Sequence, residues 1–403
     1  MGKQKKNSPM DAAMLYEKGR QASSFPFSFE NYLFMPGFCD VHVHLREPGF
    51  SYKETVRTGT LAAAHGGYTA VCAMPNLSPV PDGKETLGAE LAVIARDAVI
   101  PVYPYGAITR GERGGALADF AAMAPGVCAF SDDGRGVQRE TMMLAAMQEA
   151  KKVGKLIAAH CEDESLLVPG GCVHDGAYAR AHGLVGIPSE SEYRQLARDL
   201  DLVAKTGARY HACHISSKES VALIREAKKS GLDVSCETAP HYLLLCEDDL
   251  ADRGCFKMNP PLRGKDDREA LLAGLLDGTI DMIATDHAPH SAAEKAGGLA
   301  DARFGIVGLE CAFSLLYTHL VRTGPLTPKR LATLLSEAPR RRFGLPPGRG
   351  DFTVFEIGDP YVLRTEEFLS LGKSTPFAGE TVYGQCMLTV CGGKTVWQKT
   401  EEN

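Results

Sequence analysis

The stretch CDVHVHLREPG, residues 39–49, sets two imidazoles one residue apart at the end of a short apolar run and follows them with a cation. In a β-strand successive side chains point to opposite faces, so His42 and His44 share one face and Val43 takes the other. Two imidazoles on one face can share a metal ion. Taken alone, the pair is explained equally well by packed or solvated histidines, so the decision rests on how the other strands of the chain end.

Short apolar segments alternate with longer helical ones between residues 36 and 290. The candidate strands are FCDVHVHL, YTAVCAMPN, PVYPYGAIT, GVCAFSDD, KLIAAHCED, RYHACHISS, DVSCETAPHYLLL and DMIATDHAPH. Among the intervening stretches, residues 85–97, 139–153, 217–229 and 266–276 carry the apolar spacing of amphipathic helices. This alternation predicts parallel β/α units, and eight strands favour a closed (β/α)8 barrel of the TIM type over an open sheet. Within the strands the apolar residues come first and the ligand-type residue last. His42 and His44 end the first strand, Asp132 and Asp133 the fourth, His160 the fifth, His214 the sixth and Asp286 the eighth. A parallel barrel gathers all of these at its C-terminal mouth, where barrel enzymes keep their sites. Scattered core histidines have no reason to prefer strand ends.

Imidazoles and carboxylates crowded on one mouth need a cation to hold them, because burial disfavours each charge and like charges repel. Nitrogen and oxygen donors without thiolate suit zinc, with manganese or cobalt as substitutes. Six protein ligands exceed what one catalytic zinc takes while keeping an open position. Two ions bridged by a carboxylate fit the count, with a single ion as the lesser alternative.

Size and composition agree with this reading. The chain has 403 residues, 44% hydrophobic and 23% charged, with a formal net charge of -6; there is room for a barrel of this type plus a smaller attachment. Nothing calls for nucleic acid or a membrane surface. The one dense basic cluster, residues 340–342, reads as a helix C-terminus as readily as a binding surface. The basic start MGKQKKNSPM lacks the apolar core of a secretory signal, and Lys6 stands where a myristoylation motif has Ser or Thr. No apolar run is long enough to cross a bilayer. Twelve cysteines are scattered through apolar segments without a CxxC pair, as expected of buried thiols in a reducing, cytoplasmic compartment. Residues 1–34 are expected to contribute to a small β appendage, the stretch FPFSFENYLFMPG supplying one strand. Residues 35–345 form the barrel, and residues 346–403 build most of the appendage. The stretch HSAAEKAGGLADARFG, residues 290–305, reads as a mobile loop.

The motifs PGFCDVHVHLREPG, MPN, FSDDG, HCED, HISS, TAPHYLLL, NPPLR, ATDHAPH and FGIVGLE together resemble the type I dihydroorotases of the amidohydrolase superfamily. The resemblance spans residues 35–339 and weakens at the ends, where the family carries a longer N-terminal β segment. It implies the reversible cyclisation of N-carbamoyl-L-aspartate to L-dihydroorotate in pyrimidine biosynthesis. By the family pattern His42, His44 and Asp286 hold one Zn2+, His160 and His214 the other, and Asp133, the Asp directly before Gly, bridges them. Relatives such as hydantoinases commonly bridge with a carboxylated lysine instead. Arg46, two residues beyond His44, suits a substrate carboxylate. Asn76, Asn259 and His290 resemble further substrate contacts, completed by the backbone at Phe304 and Gly305. The implied mechanism is attack on the ring amide by zinc-activated water, with Asp286 as general acid and base. A homodimer and an aspartate transcarbamoylase partner are the assembly expectations. The alternatives are a hydantoinase or dihydropyrimidinase, which has no use for Arg46 and Asn76, and a noncatalytic scaffold for another pyrimidine enzyme.

Other polar residues carry no expected chemistry. His65, His174, His182 and His319 fall in helix or loop contexts. His211 is expected between barrel and helix, His241 and His287 behind the ligands, and Cys161 pointing away from the mouth. Lys155 and Lys257 lie off the end of the fourth strand, where a bridging lysine would stand.

Overall fold

The run Phe38–Val43 is apolar at four of six positions and buried at all of them, so it forms a strand with neighbours on both sides. In the computed structural model, which describes residues 11–400, it is the first of eight barrel strands. The second is Tyr68–Ala73, the fourth Phe130–Ser131, the fifth Ile157–Ala159, the sixth Tyr210–Ala212, the seventh Val234–Thr238 and the eighth Met282–Ile283. The third comes in two halves, Val102–Pro104 against the second strand and Gly106–Ala107 against the fourth. Tyr105, at the break, turns its buried ring inward and donates its hydroxyl to the Val41 carbonyl at 2.7 Å. Each strand pairs in parallel with its sequence neighbour. The circle closes where Val43 bridges His287 and the His44 N–H donates to the His287 carbonyl at 2.8 Å. Asp40 reinforces the seam, accepting from the Thr285 N–H at 3.0 Å and the His42 N–H at 2.9 Å.

Small side chains fill the barrel. Cys39, Val41, Ala70, Cys72, Cys128, Ala158, Cys213 and Ala284 belong to one buried cluster, floored by Phe343. The narrow interior leaves no room for longer residues in every layer. All twelve cysteines are free thiols. The expected helices appear as Lys84–Asp97, Glu140–Lys152, Lys218–Lys229 and Lys265–Asp277, joined by Glu190–Thr206. Their ends are set locally: the Ser217 hydroxyl caps the start of Lys218–Lys229, and Gly207 and Gly278 turn left-handed to end the helices before them.

The appendage is a five-stranded antiparallel sheet in the order Phe27–Phe29, Tyr32–Pro36, Phe352–Glu356, Gln385–Cys391, Lys394–Gln398. The N-terminal stretch therefore supplies two strands, not one. The sheet is fastened to the barrel by aromatic packing, with Phe355 stacked on Phe313 at 3.6 Å between ring centroids and on Phe38 at 5.7 Å. Phe355→Ala should cost about 3–5 kcal/mol, read as a lower urea midpoint; a loss within the scatter of repeat measurements would show that the sheet is not fastened there.

Residues 340–342 end the helix Ala338–Phe343, capped by left-handed Gly344. Arg340 turns inward to the Thr69 hydroxyl at 2.7 Å, and Arg342 pairs with Asp233. The stretch 290–305 has structure of its own: a helical turn, Ala292–Lys295, from which buried Lys295 donates to the carbonyls of Lys257 and Arg303. No helix among the described residues is long and apolar enough to cross a membrane. The reading of the basic start falls on residues 1–10, outside the described residues.

Candidate metal centre

Six of the seven strand-end residues meet. Asp133 lies at their centre: Oδ1 is 3.3 Å from His42 Nε2, 3.6 Å from His214 Nε2 and 3.8 Å from His160 Nδ1, while Oδ2 is 3.5 Å from His44 Nε2. Asp286 Oδ1 stands 3.2 Å from His44 Nε2 and 3.6 Å from His42 Nε2. Potential ligand atoms of His42, His44 and Asp133 form one group, and those of Asp133, His160 and His214 a second, so Asp133 belongs to both.

Asp132 is placed differently. It accepts from the N–H groups of Ile108 and Thr109 at 2.7 and 3.0 Å and from the Thr109 hydroxyl, which commits both its oxygens to the loop after the third strand. Burial pushes the Asp132 carboxyl up. Burial acts on Asp133 in the same sense, but His42, His214 and His44 outweigh it and hold that carboxyl well below the usual range.

The site fits divalent metal. His42 Nε2 and Asp133 Oδ1 are buried without a hydrogen-bond partner. His160 Nδ1 and His214 Nε2 face each other at 3.0 Å, an arrangement two imidazole lone pairs avoid without a shared proton or cation. Buried polar atoms left unsatisfied cost free energy, and a cation satisfies all of these together.

Three residues of this rim adopt left-handed backbone: Arg46 at φ 60°, Asp286 at φ 49° and His214 at φ 33°. None is glycine, and each such conformation costs about 1–3 kcal/mol. The His214 turn also explains a misplacement. His211 does not pack between barrel and helix; it faces the interior, donating to Glu237 at 2.9 Å, because the left-handed step between them breaks the alternation that would put His211 and His214 on opposite faces.

The expected substrate contacts line the same mouth. Arg46 is buried, its Nε donating to the Pro289 carbonyl at 3.3 Å. Asn76 Oδ1 accepts from His44 Nδ1 at 2.9 Å. Asn259 Nδ2 donates to Glu162 Oε1 at 3.0 Å. His290 Nε2 donates to the Phe304 carbonyl at 2.8 Å, leaving the lone pair on Nδ1, which faces Lys53 Nζ at 3.4 Å. Burial, then Arg46 and Lys53, lower its pKa to about 3, so the ring is neutral. The Gly305 N–H is already spent on the Lys257 carbonyl at 3.0 Å and is not free for a ligand. At φ 129° a side chain on Gly305 would meet the Ala288 carbonyl at 2.6 Å, so the turn requires glycine.

A dihydro-orotase-like family model matches residues 31–220. The chain is 51% identical over 396 residues to the dihydroorotase of Bacillus caldolyticus, covering 96% of this chain and 92% of that one. To the dihydroorotase of Shouchella clausii it is 53% identical over 381 residues, covering 93% and 89%. The chain belongs to the dihydroorotase family. Among solved structures, the L-hydantoinase of Arthrobacter aurescens matches with a TM-score of 0.82 at 25% identity, covering 91% of this chain and 86% of that one. A D-hydantoinase matches with a TM-score of 0.78 at 22% identity, covering 91% and 85%, and shares the barrel fold.

As a dihydroorotase the protein is a metal-dependent cyclic amide hydrolase. Lys155 and Lys257 spend their ammonium groups on the carbonyls of Val127 and Ala300, away from Asp133. Of the expected bystanders, His65 pairs with Glu310 and stacks on Trp397, while His319 pairs with Glu380. Cys161 packs against the Tyr210 hydroxyl. His287 accepts from the Gly308 N–H and faces Glu54 rather than the ligands. Sequence reading missed the carboxylates behind the mouth, Glu237 at His42 and Glu162 at His160. A signal for Glu237 existed: it is the sole charged residue between Val234 and Leu245.

Proposed function

We propose that this dihydroorotase closes N-carbamoyl-L-aspartate to L-dihydroorotate and reopens it at a mouth where His42, His44 and Asp286 hold one zinc, His160 and His214 a second, and Asp133 both. The observation that carries this reading is Asp133, whose two oxygens face all four imidazoles. Held by these residues, divalent cations would supply Lewis-acid polarisation of a carbonyl and lower the pKa of water.

The chain's own residues do the rest. The His44 Nδ1–H is fixed on Asn76, so Nε2 presents a lone pair to the mouth. Arg46 keeps its two terminal guanidinium nitrogens without a protein acceptor among the described residues, which suits a bidentate grip on the substrate carboxylate. Asn76 Nδ2 and Asn259 Oδ1 remain to orient the ring amides, while neutral His290, its Nε2 on the Phe304 carbonyl and its Nδ1 facing Lys53, packs as a wall of the substrate pocket. Among the described residues nothing donates a hydrogen bond to Asp286 Oδ2, and the side chain stays 10% exposed at the mouth. In ring closure it accepts the proton of the carbamoyl nitrogen and passes it to the carboxyl oxygen that leaves as water; in ring opening it takes a proton from the attacking water and gives it to the departing ring nitrogen. The reading includes a homodimer, an aspartate transcarbamoylase partner and a cytoplasmic location.

Assay of the metal-loaded enzyme tests it: turnover of dihydroorotate is expected, with little on hydantoin or dihydrouracil, which offer Arg46 no carboxylate. Comparable rates on all three rings would overturn the reading. Arg46→Lys replaces a planar fork with a point charge. It should raise KM about 10–100-fold, the worth of one charged hydrogen-bonding grip; an unchanged KM removes Arg46 from the substrate.

A further inference from the structure

The two imidazole pairs of the mouth are not supported alike from behind. His42 Nδ1 lies 2.8 Å from Glu237 Oε1 and His44 Nδ1 lies 2.9 Å from Asn76 Oδ1. On the other side, His160 Nε2 is 3.6 Å from Glu162, with no hydrogen bond, and His214 Nδ1 is buried without a partner among the described residues. Glu237 does more than touch His42. Its second oxygen takes His211 Nε2 at 2.9 Å, and His211 Nδ1 meets the Ser235 hydroxyl at 2.7 Å. The whole chain of contacts is sealed, with His42 and His211 at 0% and Glu237 at 1% exposure.

The tautomers follow from what each group can donate. An ionised carboxylate only accepts, so the protons sit on His42 Nδ1 and His211 Nε2, and the Ser235 hydroxyl donates to His211 Nδ1. His42 is thereby left one state in the mouth: Nε2 unprotonated, 3.3 Å from Asp133 Oδ1.

We propose that Glu237, braced by His211 and Ser235, is a positioning residue that fixes the tautomer and direction of His42 and so makes the His42–His44 half of the mouth the tighter of the two metal positions. This rests on the metal assignment above. Substrate cannot reach Glu237, so its effect passes through the ligand it holds. Partners of this kind are worth about 10–100-fold in metal affinity.

The test uses the full chain loaded with cobalt(II) and challenged with increasing chelator, each release followed by its visible absorption. Wild-type protein should release cobalt in two steps. Glu237→Gln is isosteric: its Oε1 still accepts from His42, and its amide can donate to His211 once that ring moves its proton to Nδ1 and donates to Ser235. Only the charge is lost, and the tighter step should weaken about 10–100-fold while the weaker moves less than about threefold. Turnover at limiting cobalt should fall with it and recover as cobalt rises, with KM nearly unchanged. Cys213→Ser is a necessary control, because the Cys213 thiol lies with His42 and Glu237 in a third group of potential ligand atoms. It should leave the tighter step in place. A Cys213→Ser loss equal to that of Glu237→Gln would overturn the proposal, since Glu237 would then be a ligand itself; so would a Glu237→Gln protein with wild-type release. If that variant does not fold, nitrogen NMR of the zinc-loaded wild type decides: a proton on His42 Nδ1 supports the proposal and one on Nε2 overturns it. Asp133→Asn separates the two readings. If it leaves both cobalt steps intact, the metal assignment itself is wrong; if it removes them while Glu237→Gln changes nothing, only this inference fails.

Discussion

Asp286→Asn should lower turnover about 10³–10⁴-fold in both directions, with substrate binding retained. On the proposed reading the Asp286 carboxyl has two jobs, one for each oxygen. Oδ1 faces His44 and His42, and Oδ2 has no hydrogen-bond partner among the described residues. Burial would push this carboxyl up, yet the neighbouring imidazoles of His44, His42 and His214 hold it below the usual value. It is thus an anion able to take a proton when the substrate nitrogen presents one. Asparagine has nearly the same shape and cannot accept and return a proton. Steady-state kinetics with a separate inhibitor-binding measurement checks this: near-normal turnover would remove Asp286 from the proton path, whereas lost binding would make it a substrate contact.

The second large effect belongs to Asp133. Asp133→Asn replaces a carboxylate oxygen by an amide nitrogen that cannot ligate, in the one side chain common to both histidine groups. Metal content should fall at least about tenfold and turnover by about 10⁴ or more, since neither half of the mouth is then complete. Asp132→Asn is the matched comparison. Its carboxylate accepts from two backbone N–H groups and a hydroxyl, so its loss should destabilise the fold by about 1–3 kcal/mol and leave metal content near normal. Elemental analysis of both variants decides; metal lost from Asp132→Asn and kept by Asp133→Asn would exchange the two roles.

The ligand-type residues at strand ends were legible in the sequence because two simple rules, strand alternation and parallel closure, act on residues a few positions apart. His42, His44, Asp133, His160, His214 and Asp286 follow from those rules and meet as expected. Choosing Asp133 over Asp132 needed the family motif, since both end the same strand; in space Thr109 and Ile108 claim Asp132. Glu237 stood out as the sole charged residue of an apolar run, but its role was illegible for a different reason. Its role depends on the seventh strand lying within reach of His42 in the first, 195 positions away, and no local pattern carries that information. His211 was misplaced because a left-handed residue, His214, interrupts a regular alternation. The second N-terminal strand was missed because the turn joining Phe27–Phe29 to Tyr32–Pro36 passes through Glu30 at φ 54°, where glycine, asparagine or aspartate would have announced a hairpin.

The left-handed backbone at Arg46, His214 and Asp286 has an evolutionary consequence. Glycine at any of the three would fold more comfortably and would erase the guanidinium, imidazole or carboxylate that the turn exists to aim. Selection for heat tolerance therefore meets a forbidden zone at the rim, and durable gains must accumulate elsewhere, in the barrel floor and in the aromatic seam to the appendage. A variant that relaxed this rim would be a sturdier protein and a poorer enzyme.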